Sequence, residues 1–276
     1  MANAKLVNDT SLSAVDSIEI PRPTFAERWR NPLILAAIAA LLIWSWGPTE
    51  MSNASMLITD WRNMAEFGSA FFSPNFYNWE DYVGAMVETV QIAVWGTALA
   101  VIIGVPFAIL SSANVCPQWI VQPTRRLMDA SRAINEIVFA LLFVVAVGLG
   151  PLAGVLALAV HNIGIIAKLF SEAVEAIDPR PVEGIRATGA SRLLEVVHGV
   201  IPQVMPLWSS FTLYRFETNV RSATVLGIVG AGGIGQPLFE NIRSFQYGET
   251  AAIIIIVVVT VSIIDLISAQ LRRILV

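Results

Sequence analysis

Long apolar runs separated by short polar islands set the pattern of this chain. The runs are Leu33 to Trp46, Val83 to Leu110, Ile134 to Gly148, Pro151 to Leu169, Val204 to Leu226 and Thr250 to Leu271. A helix crossing a bilayer needs about 20 apolar residues, so six transmembrane helices are expected. No stretch alternates long enough to suggest a membrane barrel. The predicted class is an all-α polytopic membrane protein. The first run is short, but Trp29, Trp44 and Trp46 supply an interfacial aromatic belt, and Pro32 and Gly47 punctuate it. Between the first two runs Met56, Trp61, Met64, Phe67 and Phe71 recur at helical spacing, as in an amphipathic helix lying on the membrane. An aromatic cofactor box is the disfavoured reading of those rings. The chain thus divides into a tail over residues 1–32, a first span over 33–47, an interfacial segment over 48–82 and a membrane core over 83–276.

Composition agrees. Hydrophobic residues make up 55% of the 276 and charged residues 14%, against about a quarter charged in soluble domains, and the mean hydropathy is +0.67. A net charge of −4 excludes the basic stripes of a nucleic-acid binder. The single cysteine, Cys116, allows no disulfide within the chain and points to no metal site. The first residues are too acidic for a secretory signal, with Asp9, Asp16, Glu19 and Glu27. Positive charge then sets orientation. With the N-terminus inside, the inner segments hold Lys5, Arg22, Arg28, Arg30, Arg125, Arg126, Arg180, Arg186, Arg192, Arg272 and Arg273, while the outer ones keep Arg62 and Arg243. Both termini are therefore expected in the cytoplasm, and so is the polar island from Pro179 to Pro206.

In that island Asp178, Pro179 and Pro181 stop one helix and prepare the next. From Glu183, the residues Ile185, Leu193, Val196 and Val197 cover one face, with Arg186, Arg192 and Glu195 elsewhere. Gly189 lowers helix propensity by about 1 kcal/mol relative to Ala and marks a bend or close contact. An ordinary membrane-surface helix fits these residues equally well.

A resemblance changes that balance. Glu183-Gly184-Ile185, three residues, Gly189 and then Ile201-Pro202 is similar to the EAA loop of bacterial ABC-importer membrane subunits. Gly184 and Ile185 replace both alanines of that loop, Ile201 replaces a Leu, and Gly199 stands where Ile is usual. From about Val83 onward the chain resembles the phosphonate-transport permeases of that superfamily. The resemblance is carried by His161 to Gly164, Lys168 to Ala173, Ile201 to Gln203, Tyr214 to Glu217, Asn219 to Arg221 and Leu226 to Gly235. It implies a type I ABC importer permease fold in a bacterial inner membrane, with a second, identical permease copy and two cytoplasmic ATP-binding subunits. It also implies a periplasmic phosphonate-binding protein that delivers the ligand. The island becomes the coupling loop, over residues 179–203, in which Glu183, Gly184, Gly189 and Pro202 meet the ATPase. ATP and magnesium belong to that partner, since this chain has no Walker P-loop and no cofactor of its own.

Charges inside the spans mark pathways or structural pairs. Arg215, Glu217, Asn219 and Arg221 crowd the fifth span, where Glu217 and Arg221 are four apart and able to pair. In one reading both arginines only satisfy carboxylates. In the other, at least one offers a guanidinium fork to an oxyanion in transit. At the third span, Arg132 and Glu136 are expected as a structural pair, and His161 as hydrogen-bonded packing. Gly230, Gly232, Gly233 and Gly235 spell a literal G-x-G-x-x-G, but no βαβ unit surrounds it. A bend or gate at the outer mouth is expected there instead.

Three rivals remain. An integral-membrane enzyme would want more than two histidines and one cysteine. A structural or assembly protein would not need the charged cluster of the fifth span. A permease for another anion or an amino acid differs only in what it carries.

Overall fold

The computed structural model describes residues 25–275, and the expected tail before Phe25 lies outside them. The described chain is helical, with no strand. In order the helices are α1 (Phe25–Trp46), α2 (Met56–Thr59), α3 (Trp61–Phe71), α4 (Trp79–Leu110), α5 (Gln118–Ala133), α6 (Glu136–Val147), α7 (Pro151–Glu175), α8 (Pro179–Ala187), α9 (Arg192–Glu195), α10 (Ile201–Leu226), α11 (Gly235–Arg243) and α12 (Tyr247–Leu275). Two compact units result, one reaching Met64 and one starting at Ala65. In the first, α1 runs straight through Pro32, so that proline does not punctuate the span. The stretch Met51–Thr59 turns away from it by 80°.

Each of the six expected apolar runs is a helix over all or nearly all of its length. Helices α4, α7 and α12 are long and apolar enough to cross a membrane by themselves, and two bent helix pairs raise the number to as many as five. Helix α10 has the length, 26 residues, but its arginines and Glu217 make it more polar than those three. Helix α7 continues past the expected end at Leu169 to Glu175.

The larger difference is α5, a 16-residue amphipathic helix absent from the expected set. Its buried face is Val121 and Met128, too sparse a stripe to stand out beside long apolar runs. It meets α6 at 85°. The break comes from Ile134, which adopts an extended conformation (φ −89°, ψ 129°). Asn135 then caps α6, its Oδ1 accepting from the Ile137 amide at 2.9 Å. Because α6 has only 12 residues, Glu136 lies about 18 Å from the far end of that helix.

The core is closed by small residues where helices touch, as membrane bundles require. A Cβ on Gly164 would lie 2.5 Å from the Met128 carbonyl oxygen, and one on Gly154 would lie 2.6 Å from that of Ala231. Both obstacles are backbone. Gly164→Leu is therefore expected to separate α5 from α7 and cost about 3 kcal/mol or more. Thermal unfolding of the detergent-solubilised chain should show the loss, and an unchanged transition would contradict this packing.

Candidate functional site

Midway along the bundle a chain of hydrogen bonds crosses three helices. Thr97 of α4, Asn162 of α7 and Asn219 of α10 are all buried. Thr97 Oγ1 donates to the Ala93 carbonyl at 2.7 Å and accepts from Asn219 Nδ2 at 2.8 Å. Asn162 Nδ2 donates to Asn219 Oδ1 at 2.9 Å and to the Leu158 carbonyl at 2.7 Å. Asn162 Oδ1 then accepts from Arg215, whose Nε is 2.9 Å away and whose Nη2 also donates to it. Every amide in this chain is satisfied, so its burial costs little and its geometry is fixed.

Arg215 is the outstanding member. A guanidinium has five N–H donors, and Asn162 takes two of them. Among the described residues no carboxylate pairs with Arg215, while its charged neighbours all have partners. The expected pair of Glu217 with Arg221 does not form. Glu217 binds Arg272 of α12 at 2.5 Å, and Arg221 binds Asp265 of α12 at 3.2 Å. Partners on a helix some fifty residues away outcompete the one a turn along. Arg132 likewise does not reach Glu136, since the bend at Ile134 and Asn135 destroys the helical spacing between them. Arg132 pairs with Asp129 at 2.7 Å, and Glu136 accepts from Ser222 Oγ at 3.0 Å. His161 is hydrogen-bonded as expected, its Nδ1 lying 2.8 Å from the Ile134 carbonyl.

Before the start of α10 lies the segment expected to be the coupling loop. Asp178 caps α8 by accepting from the Arg180 amide at 3.0 Å. Gly189 (φ +81°) ends the helical run in a left-handed conformation, and no atom of this chain lies within 4 Å of where a Cβ would project. Its role is thus the bend, not a close contact within this chain. Glu183, Gly184, Gly189 and Pro202 are all solvent-exposed. Arg186 grips Glu195 through two bonds of 3.1 and 2.9 Å, tying α8 to α9 across the bend. The contact holds the Glu195 carboxyl below its usual range and pushes the Arg186 guanidinium up. Gly199 is explained by packing, since a Cβ there would meet Val182 and Ile185 at 3.1 and 3.2 Å. Beneath α8 a groove of about 810 Å³ is lined by Asn114, Glu183, Arg186, Arg192 and Glu195.

A folded-state carboxyl pKa that is lowered stabilises above the unfolded value and is lost as pH falls through the folded one. Acidification below the ordinary glutamate value of about 4.3 should therefore loosen the loop, and E195Q should do so at neutral pH. Hydrogen exchange over residues 186–195 measures it, and equal protection in E195Q and its parent would contradict the clasp.

The glycine-rich segment forms one tight turn. Gly230, Gly232 and Gly233 have φ of +84°, +80° and +79°. A Cβ on Gly232 would lie 2.9 Å from the Pro151 backbone. The Gly233 amide donates to Glu88 Oε1 at 3.0 Å and the Ile234 amide to Thr89 Oγ1 at 2.8 Å. Gly150 donates to the Gly230 carbonyl at 3.0 Å, and Gly235 opens α11. The turn thus fastens α4, α7 and α10 together. Among the described residues no cluster of His, Cys, Asp and Glu could hold a metal ion.

The chain thus combines a bent helical bundle, a half-buried arginine held by buried amides and an exposed loop between its long helices. Residues 96–276 match the family of binding-protein-dependent transport system inner membrane components, and the chain belongs to that family. It is similar to a phosphite transport system permease protein of Stutzerimonas stutzeri, 35% identical over 89% of this chain and 90% of that one. It is also 61% identical to an Escherichia coli (strain K12) protein named as a cryptic phosphonate transport system permease, over 43% of this chain and 97% of that one. Among solved structures, an inward-facing methionine ABC transporter superposes with a TM-score of 0.63 at 21% identity, over 70% of this chain and 95% of that one. That likeness shows the type I importer permease fold. The protein is a multi-pass membrane transport subunit and not an enzyme.

Proposed function

We propose that the chain is the permease of an inner-membrane ABC importer for phosphonates and related phosphorus oxyanions such as phosphite. The observation that supports the substrate class is Arg215, a half-buried guanidinium held by Asn162 that forms no ion pair with a carboxylate among the described residues. Its fork suits the tetrahedral oxyanions named for the relatives, and a site of one cation is weak enough to release what it admits. Two copies would enclose the path. The exposed Tyr214 and Arg221 and the half-exposed Thr218 on α10 favour a watery or protein neighbour over lipid.

In this reading both termini and the loop at 179–203 are cytoplasmic. Two ATPase subunits, which bind the ATP and magnesium, grip Glu183, Gly184, Gly189 and Pro202. A periplasmic binding protein delivers substrate to the outer mouth, where the Gly230 to Gly235 turn serves as gate. The clasp between Arg186 and Glu195 lets the loop move as one body, so ATPase closure is passed on to α10 and the Arg215 layer. Deleting the gene in its native host tests the substrate class. Growth on phosphite or methylphosphonate as sole phosphorus source should be lost while growth on methionine as sole sulfur source persists, and the reverse would assign the chain to amino-acid import.

A further inference from the structure

One side chain joins the two ends of the loop at 179–203. Gln203 sits in the first turn of α10 and is half-buried. Its Oε1 accepts from the Asp178 amide at 3.2 Å, and its Nε2 donates to the Asp178 carbonyl at 3.3 Å. A single carboxamide thus meets both main-chain groups of one residue, as a paired strand residue does. Nε2 also donates to the Gly199 carbonyl at 2.6 Å. A glutamine amide has two N–H groups and one carbonyl oxygen, and here all three are engaged. The reverse orientation would set its oxygen against two carbonyls, so the partners fix the assignment.

This tie spans two breaks in the α-helical ladder. Asp178 is extended (φ −69°, ψ 125°), which separates the end of α7 from α8. Val196–Val200 is a π-helical turn, of a kind often found at functional sites, and Pro202 after it contributes no amide. Between the breaks the loop is held together. Arg186 binds Glu195 across the bend, and Gly199 lies against Val182 and Ile185 of α8. Movement imposed on α8 could still be taken up by rotation at Asp178 and at the π-helical turn. Gln203 removes that freedom, since either rotation pulls its amide away from Asp178 or Gly199.

We infer that Gln203 is the positioning residue through which displacement of the loop turns α10, the helix that carries Arg215. It acts through Asp178 and Gly199 and need touch neither nucleotide nor oxyanion. The inference rests on an ATPase gripping the loop, as proposed above. Without Gln203 the ATPase would still close on the loop and hydrolyse ATP, but α10 would not follow.

Two variants and two measurements test it. Q203M keeps the length of the side chain and removes all three hydrogen bonds. Q203E keeps an acceptor for the Asp178 amide but loses both donors. With the complete transporter and its binding protein in proteoliposomes, ATP hydrolysed per phosphite accumulated should rise about tenfold in both, the size of effect one residue has on coupling. A purely structural glutamine would lower hydrolysis and uptake together and leave that quotient unchanged, and this result overturns the inference. So does failure of both variants to assemble with the ATPase.

The second measurement needs no phosphite. Cys116, the chain's single cysteine, is replaced by serine, and V225C, at the exposed far end of α10, carries a spin label in each of the two copies. Trapping the transporter with ATP and vanadate should change the distance between labels, and that change should be largely lost when Q203M is added. Equal changes with and without Q203M, or no change in either, overturn the inference. Absence of phosphite uptake by the wild type counts against the oxyanion reading instead, and the labels still decide the role of Gln203.

Discussion

R215Q should reduce phosphite uptake by roughly 100-fold, because a charged donor set worth about 3 kcal/mol to a bound oxyanion is removed. The fold should survive, since Gln retains a donor for Asn162 Oδ1 and no carboxylate is orphaned. R215K separates charge from shape. A lysine keeps the cation but not the planar fork, so an intermediate loss of about tenfold is expected. R221Q differs in kind. It leaves Asp265 without its partner, and the loss should appear as reduced protein in the membrane, restored in R221Q/D265N. Uptake that is equal in R215Q and wild type would return Arg215 to a structural role.

G189V should abolish uptake while the chain still inserts. The left-handed backbone of Gly189 (φ +81°) costs a β-branched residue about 1–3 kcal/mol. No neighbouring atom of this chain would be struck, so the membrane bundle itself has no reason to fail. G189N sharpens the test. Asn tolerates the left-handed region yet adds bulk to the exposed surface. If a partner grips this bend, G189N should lose uptake as well. Full activity in G189N would mean that only the backbone bend matters.

Much of this protein is legible in its sequence because the membrane imposes long, uniform signals. Each apolar run becomes a helix, and the prolines and charges between Asp178 and Pro202 mark the exposed loop. The glycine run, expected as a bend and not a nucleotide site, forms a tight turn. What stays hidden depends on contacts between distant segments. Helix α5 buries only Val121 and Met128, so its pattern is drowned by its neighbours. Spacing of four residues predicts pairs for Glu217 with Arg221 and for Arg132 with Glu136. The first pair loses to Arg272 and Asp265 on α12, and the second to a break in the helix at Ile134. Asp265, an isolated acid within an apolar run, is the one available hint of the first outcome. Thr97 gives no hint, because a threonine in a membrane helix more often bonds its own backbone, as this one also does through Ala93. The loop residues, by contrast, need no partner within the chain to be visible.

The central proposal is that phosphorus oxyanions move past Arg215, driven by a partner ATPase. The direct test is to reconstitute the permease with its ATPase and binding protein in proteoliposomes and follow radiolabelled phosphite and methylphosphonate. Accumulation should require ATP and the binding protein and should fall roughly 100-fold in R215Q. Accumulation of methionine in place of either phosphorus compound, or phosphorus uptake indifferent to ATP, would contradict that assignment.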